Sequence, residues 1–211
     1  MVVQVSIQVQ FLKYGVATKM VWSKMGSTTL ASTGDDIDIT NMTASKSNQM
    51  LFHAISSGQV NSFGIFNNDS GSVYAYRGSD NGGTDYTSGS ANSFYSDYSY
   101  NNSTAFSIAY IVSILGEEKL CMSFEINAGT SGASNAPNRR EWVSKYVPST
   151  DADITRIDMN STGSGDYAVG SNLSVLGSDG TESLNIQDGT VYYDTDLNKE
   201  YVLYNNEWTK L

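Results

Sequence analysis

The residues that could carry acid–base, nucleophilic or metal chemistry are few, and their spacing keeps them apart. His53 is the only histidine and Cys121 the only cysteine. A tetrahedral zinc site draws on several Cys or His ligands, so none is expected. Hydroxyl nucleophiles need an oriented imidazole beside an exposed serine, and the chain has no G-x-S-x-G turn. His53 lies between Phe52 and Ala54 in an apolar run, where a packed core or boundary histidine is expected. Two carboxylates suffice for glycoside hydrolysis. Glu117 and Glu118 are adjacent at an expected hairpin tip and point apart. Glu125 and Glu141 fall on separate expected strands, with nothing tying them together. No P-loop or G-x-G-x-x-G element is present, so no nucleotide site is expected. No catalytic residue, metal or cofactor is assigned, and the chain reads as non-enzymatic.

Two loops are rich in oxygen ligands: Asn67-Asn68-Asp69, and Asp80, Asn81 and Asp85. Such groups on Gly-rich loops suit a hard cation. They are also ordinary turn formers, and neither loop has the spacing of a twelve-residue calcium loop, so turn formation is the preferred reading.

The stretch 78–103 differs in kind. Its 26 residues include seven Ser, four Gly, four Asn, four Tyr and three Asp, with no Lys or Arg. Tyr86, Phe94, Tyr95, Tyr98 and Tyr100 are its aromatics. Tyrosine gives a large contact area with few rotatable bonds, and Ser and Asn add adaptable hydrogen bonds. These five are the candidate binding residues, in an outward surface for recognition or subunit contact. Packing of the same rings on the body of the fold is the competing reading. The stretch is expected to be either a long loop or weak strands separated by turns.

The scaffold that must hold these groups is all-β. Period-two alternation runs from Val3 to Phe11 and recurs at 36–40, 119–125, 139–147 and 154–159, Thr104 to Leu115 is a strand rich in Val, Ile, Phe and Tyr, and sustained 3.6-residue periodicity is absent. Gly116-Glu117-Glu118 joins two of these runs as a hairpin. Cys121 falls on the face opposite Leu120, Met122 and Phe124, and is expected to pack as an inert thiol between sheets. Residues 17–177 therefore read as an antiparallel β-sandwich, jelly-roll-like, with turns near every tenth residue. Residues 1–16 form an N-terminal arm or first strand. Residues 178–211 form a small C-terminal β-hairpin unit, whose very short strands bury little alone.

Composition removes several function classes. Polarity comes from Ser, Thr, Asn and Gly, and charged residues are 16% of the 211, with a formal charge of −10. The 12 Lys and Arg are scattered, whereas phosphate binding needs clustered cations, so nucleic acid is excluded as a partner. No run of 18 apolar residues exists, so no membrane-inserted helix is expected. The N-terminus lacks the basic start and apolar stretch of a signal peptide. Synthesis in the cytoplasm and release by another route is the expectation.

The strings Asn135-Ala-Pro-Asn-Arg-Arg-Glu-Trp142, Ile154-Thr-Arg-Ile-Asp158, Gly163-Ser-Gly-Asp166 and Gly170-Ser-Asn-Leu173 resemble a domain of virion structural proteins of tailed phages and archaeal viruses. Phe66 to Gly71 with Tyr74 to Gly83 is similar to the same family, so the resemblance covers most of 20–177. Gly189-Thr-Val-Tyr-Tyr-Asp-Thr-Asp196 with Tyr201, Tyr204 and Trp208 looks like a small β unit of phage tail and fibre proteins. The resemblance implies a virion location, as a fibre, tail or head-decoration component, and carries over no active-site residue. The expected partners are copies of the chain itself, with a trimer favoured, other virion proteins and host-surface glycans. The alternative is a carbohydrate-binding module of a cell-surface or secreted protein.

Overall fold

A computed structural model describes residues 22–96, 100–101, 103–130, 132–150, 152–178, 189, 191–194, 199–204 and 207–211. The arm at 1–16 lies outside the described residues. The chain divides into a compact unit over 21–181 and a second that includes 182–211. Every regular element among the described residues is a strand, and no helix is long and apolar enough to cross a membrane.

The larger unit contains β1 (Ser23–Thr29), β2 (Asp36–Ile39), β3 (Ser47–Ile55), β4 (Gln59–Val60), β5 (Ser62–Phe66), β6 (Tyr74–Asp80), β7 (Tyr86–Ala91), β8 (Tyr95–Ser96), β9 (Tyr100–Asn101), β10 (Thr104–Val112), β11 (Lys119–Asn127), β12 (Asn138–Tyr146), β13 (Ile157–Ser161) and β14 (Asn172–Ser178). The smaller contains β15 (Val191–Asp194), β16 (Lys199–Tyr204) and β17 (Glu207–Lys210), a three-stranded antiparallel meander.

The larger unit is the expected antiparallel β-sandwich, with its strands divided eight and four. The broad sheet runs β1-β14-β3-β10-β11-β12-β6-β7, the narrow one β2-β13-β5-β8, and β4 pairs with β9 alone. The centre of the broad sheet is the β10–β11 hairpin, closed by a turn in which Gly116 takes a φ of 83° and Glu117 donates its N–H to the Ile114 carbonyl. A positive φ is what glycine supplies without strain. Both hairpin strands pair along their full nine residues, β10 with β3 and β11 with β12.

The core lies between the sheets as a single cluster. From the narrow sheet come Ile37, Ile39, Phe66, Ile157 and Met159, and from the broad one Met50, Phe52, Ile111, Trp142, Tyr146, Leu173 and Val175. Phe66 stacks on Phe94 at 4.0 Å, and Tyr74 on Tyr146 at 4.8 Å. The buried tyrosine hydroxyls are satisfied, as burial requires: Tyr74 donates to the Phe66 carbonyl, and Tyr167 to the Asn160 carbonyl at 2.8 Å. Gly64 and Gly78 make room for rings, since a Cβ on either would come within 2.5 Å of Phe94 or Trp142.

The run 49–56 is apolar enough to be expected between two covered faces, and the structure corrects this. β3 alternates between buried and half-buried along its whole length, because the narrow sheet covers one side of the broad sheet and no other strand among the described residues of the larger unit covers the other.

Candidate functional site

The stretch 78–103 resolves into the second of its two expected forms: the end of β6, a turn over 81–85, then β7, β8 and β9. Its aromatics do not share one role. Tyr86 opens β7, is partly exposed, places its ring edge-on to Trp142 at 5.0 Å and donates its hydroxyl to Asp80 at 3.2 Å. Phe94 is fully buried and stacked on Phe66, so it fills the core and offers no outward face. That corrects its place among the binding residues: an aromatic without a polar tip loses nothing by full burial. The backbones of Tyr95 and Tyr100 pair with Gly64 and Val60. Tyr98 lies outside the described residues.

The two carboxylates on separate strands are held apart by the sheet itself. Glu141 pairs in register with Phe124, one residue from Glu125, so Glu141 and Glu125 project from opposite faces. Glu141 is on the outer face beside Arg139, at 3.7 Å. Glu125 is 1% exposed on the inner face, where its Oε1 accepts from Arg140 at 3.4 Å and its Oε2 has no partner. Arg140 donates its Nε to Asp80 at 2.6 Å. Burial pushes the Glu125 carboxyl up to about 7, against the lowering pull of Arg140 and Asn127 and helped by the nearby Asp80 charge. Asn127 anchors the surrounding turn, accepting from Gly129 N–H and from Asn138. The group is an ion cluster set inside one end of the sandwich.

The oxygen-rich loops spend their side chains on hydrogen bonds and ion pairs within the fold, most of them to distant segments. Asn67 and Asn68 both take positive φ. The Asn67 side chain accepts from the N–H groups of Thr155 and Arg156 and donates to the Asp153 carbonyl. Asp69 accepts from Gly71 N–H and from Tyr146. Asn81 accepts from Arg139 N–H, and Asp85 pairs with Arg77. Among the described residues no three His, Cys, Asp or Glu side chains gather as metal ligands.

The feature with the strongest demand for a partner is the outer face of the broad sheet. On β11, Lys119, Cys121, Ser123, Glu125 and Asn127 are buried while Leu120, Met122, Phe124 and Ile126 are exposed. β10 does the same, burying Ala105, Ser107, Ala109 and Ile111 and turning Phe106, Tyr110 and Val112 outward. Register places the outward residues in four cross-strand pairs: Phe106 with Ile126, Ile108 with Phe124, Tyr110 with Met122, and Val112 with Leu120. Excepting half-buried Ile108, each is 41–54% exposed. Val143 extends the patch onto β12 beside Met122, and Leu51 onto β3 beside Ile108.

The polarity of a normal half-buried strand is therefore reversed. Among the inward polar groups, Lys119 donates to the Ile114 carbonyl and Asn127 accepts from Gly129 and Asn138, whereas the Ser123 hydroxyl and the second Glu125 oxygen have no partner among the described residues; burial raises the Cys121 thiol to about 12, against a hydrogen bond to Ser144. Rings and branched chains of this size present roughly 150–250 Å² each when fully exposed, so the patch offers about 700 Å² of apolar surface. Covering it would release about 17 kcal/mol of transfer free energy, gross of association costs. The alternation of β11 carried half of this information. Which of its two faces looks inward depends on the narrow sheet, whose position is a long-range property of the chain.

No family model, curated protein or solved structure matches the chain.

Proposed function

We propose that this chain is a structural subunit of a virus particle, a fibre, tail or head-decoration component that works through its surfaces. The observation that carries the reading is the inverted broad sheet. A free-standing domain seldom leaves a contiguous apolar patch beyond roughly 300–600 Å² uncovered, so a protein with such a face is built for incorporation into something larger. The inner groups able to titrate near neutrality are closed inside the sandwich, as Glu125 is, which suits a scaffold better than a reaction site. The resemblance along 66–83 and 135–173 supports a virion as that assembly, with other virion proteins as neighbours and the Tyr86 region as the surface turned towards host glycans.

The test is direct. Virus particles grown and purified from the source of the chain are digested and analysed by mass spectrometry, and intact particles are probed with antibody to the recombinant protein. The chain is expected in fixed stoichiometry to the major capsid protein, with antibody decorating one part of the particle. Absence from purified particles, together with glycan binding by the isolated chain, would overturn the virion role in favour of a carbohydrate-binding module.

A further inference from the structure

We propose that the outer face of the broad sheet, centred on the β10–β11 hairpin, is the surface through which copies of this chain pack against one another. The inference rests on the reading of the chain as an assembling subunit and names the surface that assembles it.

Size is the first argument. The patch of about 700 Å² approaches the roughly 800 Å² that each partner contributes to a standard stable interface, and it exceeds the largest apolar patch of an ordinary monomer. Its composition is also that of an interface core, with aromatic, Met and aliphatic side chains at the centre and charge confined to the rim.

Charge decides the occupant. The chain carries a formal −10, so two copies repel over most of their surfaces. This face is an exception. The outward residues of β10 and β11 bear no charge, and along β12 Arg139 lies beside Glu141 while Lys145 pairs with Glu118 at 2.9 Å. Apolar centre and balanced rim together make it a place where another copy can approach without meeting like charge. A strongly acidic or basic partner finds nothing complementary there. The face is also a fully paired stretch of sheet, and sheet faces of this kind stack at about 10 Å with side chains interdigitated.

The experiment uses the full chain at micromolar concentration. Light scattering after size exclusion reads the mass of the wild type, of Phe124→Glu, of Leu120→Glu, and of Val169→Glu, which alters an exposed apolar residue in the loop before β14. Circular dichroism and thermal melting confirm that each variant is folded, and Leu120→Ser serves if a glutamate at these positions prevents folding. The wild type and Val169→Glu are expected to be oligomeric. Folded face variants are expected to run as monomers, their association weakened by roughly thirtyfold or more, as for a central interface residue. A monomeric wild type overturns the proposal, as does a face variant that stays folded and oligomeric. Binding of the wild type to phosphatidylcholine vesicles, lost in the same variants, overturns it in favour of a lipid surface. If the chain assembles through this face but is absent from purified particles, the virion role fails and the interface stands. If it is present in particles and the folded face variants still assemble, the interface fails and the role stands.

Discussion

Replacing Glu125 with Gln should change how stability depends on pH, and the size of the change follows from where the carboxyl sits. Glu125 is 1% exposed, accepts one long hydrogen bond from Arg140, and leaves its second oxygen unpartnered. Its folded value is pushed up from 4.5 to about 7, with burial the largest cause. Below pH 4.5 the group is protonated in both folded and unfolded chains and has no effect on the balance. Between 4.5 and 7 the native state holds a proton that the unfolded state releases, so stability falls as pH rises. Above 7 the full penalty is present, about 3 kcal/mol for a shift of this size. Glutamine has nearly the same volume and never ionises. The difference in unfolding free energy between the variant and the wild type should therefore be near zero at pH 4.5 and favour the variant by up to about 3 kcal/mol at pH 8. Carboxylates elsewhere are common to both proteins and cancel in the difference. Urea unfolding followed by circular dichroism at fixed protein concentration measures the difference. A difference that is flat with pH, or that favours the wild type as pH rises, would show that the attraction of Arg140 outweighs burial and refute the reasoning.

Three further outcomes follow from the packing. Phe94→Ala should cost about 3–5 kcal/mol, as removal of a buried ring does, and Gly64→Ala should lose about 1–3 kcal/mol by driving a methyl into the same ring; thermal melting checks both, and unchanged stability of Phe94→Ala would return that residue to a surface role. Cys121, buried with its thiol raised to about 12, should resist a thiol-reactive disulfide reagent in the native protein and react at once in denaturant; rapid native labelling would place it on the wrong face of β11. Light scattering of the full chain should give at least twice the 22.9 kDa of one chain, and a monomer would count against assembly.

The all-β class was legible from alternation in β11 and β12 and from short apolar runs bounded by turn residues in β3 and β10. Strand limits were legible wherever Gly or Asn marked the turns, as at Gly116. The division of strands eight and four was not, since β1 pairs with β14 across nearly the whole unit and such partners leave no local mark. The orientation of β11 was hidden for a related reason. Its sequence offers an apolar face and a face with Lys119, Glu125 and Asn127, and the usual rule turns the apolar one inward. What sets it the other way is the company of the polar residues: Arg140 from β12 against Glu125, and the Ile114 carbonyl against Lys119. Among the proposed aromatics, Tyr86 and Phe94 share one composition yet separate by environment. Phe94 follows a turn that feeds its ring over Gly64, and a glycine thirty residues earlier gives no sign of being a socket.

If copies of the chain cover the outer face of the broad sheet, Met122 reports on it most directly. Met122 sits at the middle of the patch and is 44% exposed in the single chain, whereas Met50 and Met159 are fully buried and serve as internal references. Oxidation by dilute peroxide, read by peptide mass spectrometry across a concentration series, compares them. Slow oxidation of Met122 at micromolar concentration, rising many-fold on dilution to monomer while Met50 and Met159 stay protected, is the expected result. Fast oxidation of Met122 at every concentration would leave the face bare and contradict the account, and slow oxidation at every concentration, including the monomer, would mean that the chain covers the face by itself.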